Sequence, residues 1–337
     1  MAHLGTQNDR VQDRPVAGRT FPFARGVRRL DDSRAFPLLL VVPILVLFVV
    51  WNIVPLLWLV GVSFYRFKLT AAREPEYVGF ENFLDIWNSS VIWGVLGRTL
   101  LFMASSVGLA TCLGVVLGLL FWGSHRMPGR RLALTLLFTP MILPPVAVAT
   151  FYRLIYDPTF GVLNYYVDRV RGSPVDFLGD KDVAFWATVA VDVWMWTPFM
   201  ILMTLAALGS VPKAELEAAE IDRLPWLRRL WYVVLPHGKF ILMLGILLRT
   251  IDAFKTTDLA YLMTRGGPGN RTEFVGITLY RQGFEAFQMG DASALAIVTL
   301  LIAIAFTSIY LYVLNYRETR AAVRGSFPRS ERGELRA

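Results

Sequence analysis

Six stretches of the chain, 36–64, 99–122, 132–155, 185–208, 240–263 and 292–316, are almost continuously apolar, and polar residues collect between them. Crossing a hydrocarbon layer of about 30 Å takes roughly 20 apolar residues in a helix, so each stretch predicts a membrane span. The expected fold class is an all-α integral membrane protein with six spans over 35–316, a tail over 1–34 and a second tail over 317–337. Pro140, Pro144 and Pro145 lie in the third stretch. Proline lacks an amide donor and its ring clashes with the preceding turn, so this span is expected to kink or break. Within a membrane the freed carbonyls need protein or water partners, which predicts that this helix faces the bundle interior.

The polar connection over 209–238 interrupts the pattern most sharply. Pro212 suits a first helical turn, and 213–222 contains good helix formers. Leu224 precedes Pro225 and is disfavoured in the α region, so the chain must turn at Arg223 and Leu224 before a second helix begins. In that second helix Trp226, Leu230, Val233 and Val234 fall on one face at helical spacing, with Arg228 and Arg229 elsewhere. The expectation is an amphipathic helical hairpin lying against the membrane. Such a hairpin either docks a partner or merely caps the bundle.

Composition supports the bilayer. The 337 residues are 55% hydrophobic and 18% charged, with a mean hydropathy of +0.48, too apolar for a solvated globule. The net charge of +8 would suit nucleic acid if the cations formed one patch. Instead they follow topology: 7 Lys and Arg precede residue 35, 5 lie in the 209–239 connection and 6 follow residue 316, against about 3 in each of three alternate connections. The positive-inside rule therefore places both tails and the 209–238 connection in the cytoplasm. The Arg-rich beginning lacks a short apolar core and small-residue cleavage site, and reads as a retained tail. One cysteine, Cys112, excludes a disulfide framework, and His3, His125 and His237 show no metal-ligand spacing. None of the 5 lysines follows a phosphate-binding Gly-rich loop, so the chain is not expected to hydrolyse ATP.

Several ionisable residues fall within or beside the spans. Asp192, Arg249, Asp252 and Lys255 would cost about 2.5–3.5 kcal/mol each at a lipid-facing helix centre, so they should face inward. Arg249 and Asp252, three apart, can simply pair with each other. Alternatively, with Trp194, Trp196, Phe254 and Tyr261 nearby, they edge a polar, aromatic cavity suited to a hydroxyl-rich solute. Beyond the fifth span, Gly266, Gly267, Pro268 and Gly269 predict a sharp reversal with positive φ angles, followed by Thr272.

These motifs together resemble a known family. Glu217, Ala218 and Ala219, then Ile221 and Asp222, and finally Leu235 and Pro236 match the spacing of the EAA loop of bacterial ABC-importer permeases. The Gly-Gly-Pro-Gly run with Thr272, Tyr280 and Phe284 resembles the corresponding loop of the sugar-type permeases, related to the maltose and glycerol-3-phosphate systems. Tyr77 to Phe83 and Gly290 to Ala294 also resemble family stretches. So does Arg249 to Tyr261, with Phe254, Asp258 and Tyr261 at matching places and Thr257 where the family usually has an aromatic. This likeness implies that Asp258 belongs with the solute-pathway candidates. Arg223 and Leu224 depart from the pattern, standing where the family usually has Gly-Ala. Glycine there would tolerate a left-handed turn that costs other residues roughly 1–2 kcal/mol.

The resemblance implies a permease subunit, not an enzyme, in a bacterial inner membrane. Its implied partners are two ATPase subunits, a second and homologous permease, and an extracytoplasmic binding protein that supplies a carbohydrate. It implies that Glu217, Ala218, Ala219, Ile221, Asp222, Arg223, Leu235 and Pro236 couple to the ATPase. Gly266, Gly267, Pro268, Gly269 and Thr272 would face the binding protein. No cofactor is implied in this chain, since ATP and Mg belong to the partner. A polyol or glycerol-3-phosphate is the alternative solute. A proton-coupled transporter using Asp192 or Asp252 is the rival mechanism, and a membrane enzyme would need a catalytic cluster that the sequence does not offer.

Overall fold

A computed structural model describes the backbone of residues 35–122 and 128–326, and the side chains of 41–122 and 128–312. Expectations for the first tail, for His3 and His125 and for the end of the second tail lie outside the described residues. The chain divides into two units, Met1–Trp58 and Leu59–Ala337. The first apolar stretch forms α1 (Ala35–Phe48), a π-helical turn (Val49–Ile53) and α2 (Val54–Val62). The wide turn has a local cause. Pro55 cannot donate to the turn before it, and the hydrogen-bond ladder widens just ahead of it.

In the second unit, a short antiparallel pair, β1 (Tyr65–Arg66) and β2 (Glu76–Tyr77), leads into α3 (Glu81–Asn88). The buried Asn82 amide donates to the carbonyls of Ser63 at 2.8 Å and Tyr65 at 3.0 Å, which fixes this connection. The second span, expected from residue 99, begins earlier as α4 (Ser90–Phe121). Ser89 caps it by accepting from the Ile92 amide at 3.3 Å, and Ile92, Val95 and Leu96 pack with Val275 and Leu295.

The third span is broken. It consists of α5 (Arg130–Ile142) and α6 (Pro145–Ile155), bent by 100°. Pro140 stays inside α5, and the break falls at Leu143, which precedes the two donor-less prolines. The break itself faces inward, where Pro145 lines a cavity with Asp192, Trp196 and Asp252. Only Pro140 of α5 and Val148 and Ala149 of α6 are buried, because each half packs along one side, α5 on α8 and α6 on α12. After α7 (Val162–Arg171) comes α8 (Ala184–Gly209), the most buried helix of the unit. It packs most extensively on α4, where Gly114 and Gly118 leave no room for a β-carbon against Met200 and Thr204. Small residues permit this close approach, as dispersion rather than water drives helices together in lipid.

The connection after α8 contains α9 (Lys213–Ile221), preceded by Pro212 in extended conformation. The second arm, α10 (Trp226–Arg229), runs through a π-helical turn (Leu230–Val234) directly into α11 (Leu235–Phe254). The predicted hairpin arm is therefore the first part of a membrane helix, Trp226–Phe254, rather than a separate interfacial helix. Its wide turn again sits just ahead of a proline, Pro236. Of the predicted apolar face, Leu230, Val233 and Val234 pack with Leu208 and Val211, whereas Trp226 stays exposed.

The fifth stretch, expected as one span over 240–263, ends at Phe254 and resumes as α12 (Asp258–Thr264). No proline is involved. Thr256 and Thr257 donate their hydroxyls to the carbonyls of Asp252 at 3.3 Å and Lys255 at 3.1 Å, satisfying backbone groups that the break sets free. The chain closes with α13 (Val275–Tyr280), a π-helical turn (Arg281–Glu285) and α14 (Met289–Ser326). The last helix outruns its predicted end at 316. The described residues thus contain five long apolar helices, or six spans when the bent pair counts as one.

Candidate functional sites of the helical bundle

Three regions collect the residues singled out from sequence. The first is the connection between α8 and α11. Glu217, Ala218, Ile221, Asp222 and Arg223 are exposed, as is Pro236, while Ala219 is buried and Leu235 half-buried. Ile221 is 82% exposed, an apolar side chain held in solvent beside carboxylates. Arg223 takes φ +50°, the left-handed conformation that its neighbours Leu224 and Pro225 force on the turn. The Leu224 amide donates back to the Ala219 carbonyl at 3.0 Å, closing α9. Two ion pairs tie α9 to the following helix: Arg229 to Glu220 at 2.8 Å and, when its ring is protonated, His237 to Glu215 at 3.3 Å.

The second region is interior. Asp192 on α8 and Arg249 on α11 are each 1% exposed and pair directly. Arg249 also donates to Asp252 at 3.0 Å and to the Ser106 hydroxyl at 3.1 Å, and that hydroxyl in turn donates to Asp192. The guanidinium lies 5.0 Å from the ring centre of Trp196, four residues beyond Asp192 on the same face of α8. The predicted Arg249–Asp252 pair therefore exists, as one edge of a larger network. Ser106 was not anticipated. Its only sequence signal is a Ser105-Ser106 pair within an apolar stretch.

Beside this network a cavity of about 220 Å³ is lined by Asp192, Trp196, Asp252, Lys255 and Asp258, with Thr256 and Thr257 completing its polar wall and Pro145, Met195 and Leu259 its apolar one. Both helix breaks meet here, since Pro145 begins α6 and Thr256 and Thr257 separate α11 from α12. Three of the predicted residues lie elsewhere. Trp194, two positions from Asp192, points to the other side of α8 and meets Tyr152 edge-to-face at 5.2 Å between ring centres. Phe254 is buried against Phe306, and Tyr261 donates to Glu285 at 2.7 Å beside Tyr280. Proximity in sequence brought these aromatics under suspicion, but helical rotation separates them from the cavity.

The third region is the reversal after α12. Arg265, Gly266, Gly269 and Asn270 all have positive φ, between +51° and +80°, and the Gly267–Pro268 peptide is cis. Thr272 is fully buried and works inside the loop: its hydroxyl donates to the Gly267 carbonyl at 2.7 Å and meets the Thr264 hydroxyl at 2.5 Å. Beneath the loop, buried Glu273 pairs with Arg281 and accepts from Thr278 at 3.0 Å. Gly269 is exposed, and Gly267 and Pro268 are half-buried. At the same end of the unit, the Asp157 carboxylate accepts from the amides of Phe160 and Thr159, which hold it below the ordinary carboxylate range.

Comparison with known proteins places this architecture. Residues 110–320 match the family described as binding-protein-dependent transport system inner membrane component. The chain is 33% identical over 282 residues to the trehalose/maltose transport system permease protein MalF of Thermococcus litoralis, covering 83% of this chain and 93% of the relative. It is 29% identical to the sulfoquinovosyl glycerol transport system permease protein SmoG of Agrobacterium fabrum, covering 87% and 95%. Among solved structures, a bacterial alginate ABC transporter in complex with its alginate-bound periplasmic protein superposes with a TM-score of 0.73 at 18% identity, over 85% of this chain and 94% of that one. With the family matched over most of the spanning region and a relative aligned along nearly its full length, the chain belongs to the binding-protein-dependent inner membrane components: it is a multi-pass permease subunit of the sugar ABC-importer family, not itself an enzyme.

Proposed function

We propose that this permease imports a carbohydrate, driven by a separate ATPase that docks on the exposed face of α9. The observation that carries the reading is the continuity of Trp226–Phe254. One end of this helix is tied to α9 through Glu220–Arg229, and the other end carries Arg249 and Asp252 to the cavity. Displacement of α9 by a partner would therefore move the cavity wall as a rigid body, a two-state arrangement that a partner can bias. Glu217, Ala218, Ile221 and Asp222 present the docking face, and ATP and Mg are bound by the partner.

The carbohydrate assignment draws support from the named substrates of the relatives, trehalose and maltose in one and sulfoquinovosyl glycerol in another. The cavity's own chemistry favours a neutral solute over a phosphorylated one. Three carboxylates, Asp192, Asp252 and Asp258, line it with one cation, Lys255, while Arg249 lies beside the cavity engaged by Asp192 and Asp252. Trp196 supplies an apolar face, and Thr256 and Thr257 supply hydroxyls, the combination that a polyhydroxylated ring requires. The loop over 266–269 is assigned to an extracytoplasmic binding protein, the second permease to a homologous subunit, and both termini to the cytoplasm on the distribution of positive charge.

The test is to tag the chain, extract it from its native membrane in mild detergent and identify by mass spectrometry what copurifies. An ATPase, a second permease and a binding protein are expected, and the binding protein is then screened against sugars and sugar phosphates by thermal shift. Recovery of the chain alone, with uptake that collapses with the proton gradient, would replace this reading with proton-coupled transport.

A further inference from the structure

Three cations from separate parts of the sequence converge on one small pocket that lies apart from the interior cavity. Arg98 comes from α4, Lys181 from the connection before α8 and Arg271 from the reversal after α12. The pocket, of about 180 Å³, has Leu101 and Trp186 as its apolar wall, and Asp182 is its only carboxylate. Asp182 reaches Arg271 at 3.9 Å, beyond hydrogen-bond distance, and its side chain is 91% exposed. Arg98 donates through Nε to the Glu273 carbonyl at 3.4 Å, and no carboxylate lies within ion-pair reach of it among the described residues. The site therefore holds two positive charges in excess.

Such convergence runs against simple repulsion. A lone arginine near a helix end extends toward water, and nothing in that behaviour draws it to two other cations. Arg98 is held half-buried beside its helix, with its head toward the pocket that Lys181 and Arg271 share. Like charges in one partly desolvated pocket favour an oxyanion that bridges them, and guanidinium forks match phosphate geometry. The wall adds a second constraint. Leu101 and Trp186 are both more than half exposed on helices that cross the membrane, so an occupant with a phosphate head finds an apolar surface directly below it.

We infer that Arg98, Lys181 and Arg271 form a phosphate-binding site at the membrane boundary, beside the loop over 266–269. The phosphate belongs either to an anionic phospholipid headgroup or to a free phosphate or phosphate ester. Because Arg271 sits within the reversal itself, occupancy of the site ties that loop to α4 and to the start of α8. The inference is independent of the transported solute.

The experiment uses the full chain, purified with its accompanying subunits and placed in phosphatidylcholine nanodiscs with and without phosphatidylglycerol. Native mass spectrometry counts the phosphatidylglycerol that each sample retains, with and without millimolar inorganic phosphate. The test variant is K181Q/R271Q, which alters two exposed side chains and leaves the packed Arg98 in place. The control is R169Q/R171Q on α7, which removes the same charge from exposed positions in the same connection as Lys181. Retention is expected to fall at least about tenfold in the test variant and to stay near wild type in the control.

Retention that resists inorganic phosphate identifies a lipid headgroup. Displacement by phosphate, together with a thermal shift from phosphate in pure phosphatidylcholine, identifies a free phosphate. Equal retention in test and control variants, with no thermal shift from phosphate, overturns the site. Adding R98Q to the test pair, with folding checked by gel filtration, should abolish whatever binding remains.

Discussion

The interior network of Asp192, Arg249 and Asp252 and the exposed carboxylates of α9, Glu215, Glu217 and Glu220, both set acidic side chains beside basic partners, yet they stand in opposite solvents. Inside, both members of the Asp192–Arg249 pair are almost wholly buried, and Ser106 and Trp196 complete their surroundings. On α9 the carboxylates face water, and Glu220 is 67% exposed where it meets Arg229. A buried charge must find its partners within the fold, because the membrane interior supplies none. An exposed charge costs little to leave unpaired and remains free for another protein. The first region therefore answers to stability and the second to association, although composition alone does not tell them apart.

The contrast can be broken experimentally, and the largest effect is expected inside. Asp192→Leu removes the buried carboxylate partner of Arg249, leaving only the part-exposed Asp252, and should destabilise the chain by about 3–5 kcal/mol, read as a fall in thermal unfolding temperature in detergent. Combining it with Arg249→Met should restore most of the loss, since two apolar side chains of similar volume need no partner. A double variant no more stable than the single one would show that the network does not act as a pair.

Next comes the exposed face. Glu217→Lys should leave the unfolding temperature unchanged but lower reconstituted transport at least about tenfold, with the partner's ATP hydrolysis no longer tracking solute. Normal transport would remove Glu217 from the coupling face. Smaller again is the turn between the two helices. Arg223→Gly relieves a left-handed side chain and should stabilise by up to about 1 kcal/mol, partly offset by glycine's extra freedom in the unfolded chain. The smallest effect belongs to Glu220→Gln. It removes a solvent-exposed partner and should change stability by no more than about 0.5 kcal/mol, so any larger loss of transport would report on the α9 linkage rather than on folding.

Much of this was legible from residues alone, but unevenly. The six apolar stretches, the break in the third and the turn at Arg223 follow from hydropathy and from proline's missing donor, both local properties. The break after Phe254 was not legible, because it involves no proline: Thr256 and Thr257 repair it with their own hydroxyls. The fusion of α10 with α11 escaped for a related reason. The apolar stretch was expected to begin at residue 240, whereas a widened turn ahead of Pro236 joins it to the preceding arm as one helix. Trp194, Phe254 and Tyr261 were grouped with the interior charges by nearness along the chain, and only the helical rotation of α8 and the packing of α11 and α12 separate them.

The sequence by itself determined that this protein lives in a bilayer, roughly where it crosses, which connection carries the exposed charges, and which family its motifs resemble. These depend on composition, short-range periodicity and residue chemistry, all carried by the chain before it folds. Tertiary structure alone decided that Arg249 bridges α4, α8 and its own helix, that Thr272 serves the interior of its loop, and that Arg98, Lys181 and Arg271 share one pocket. Each of these joins residues distant in sequence. Their meeting depends on how close two helices can pack, as at Gly114 and Gly118, and no local pattern records that distance.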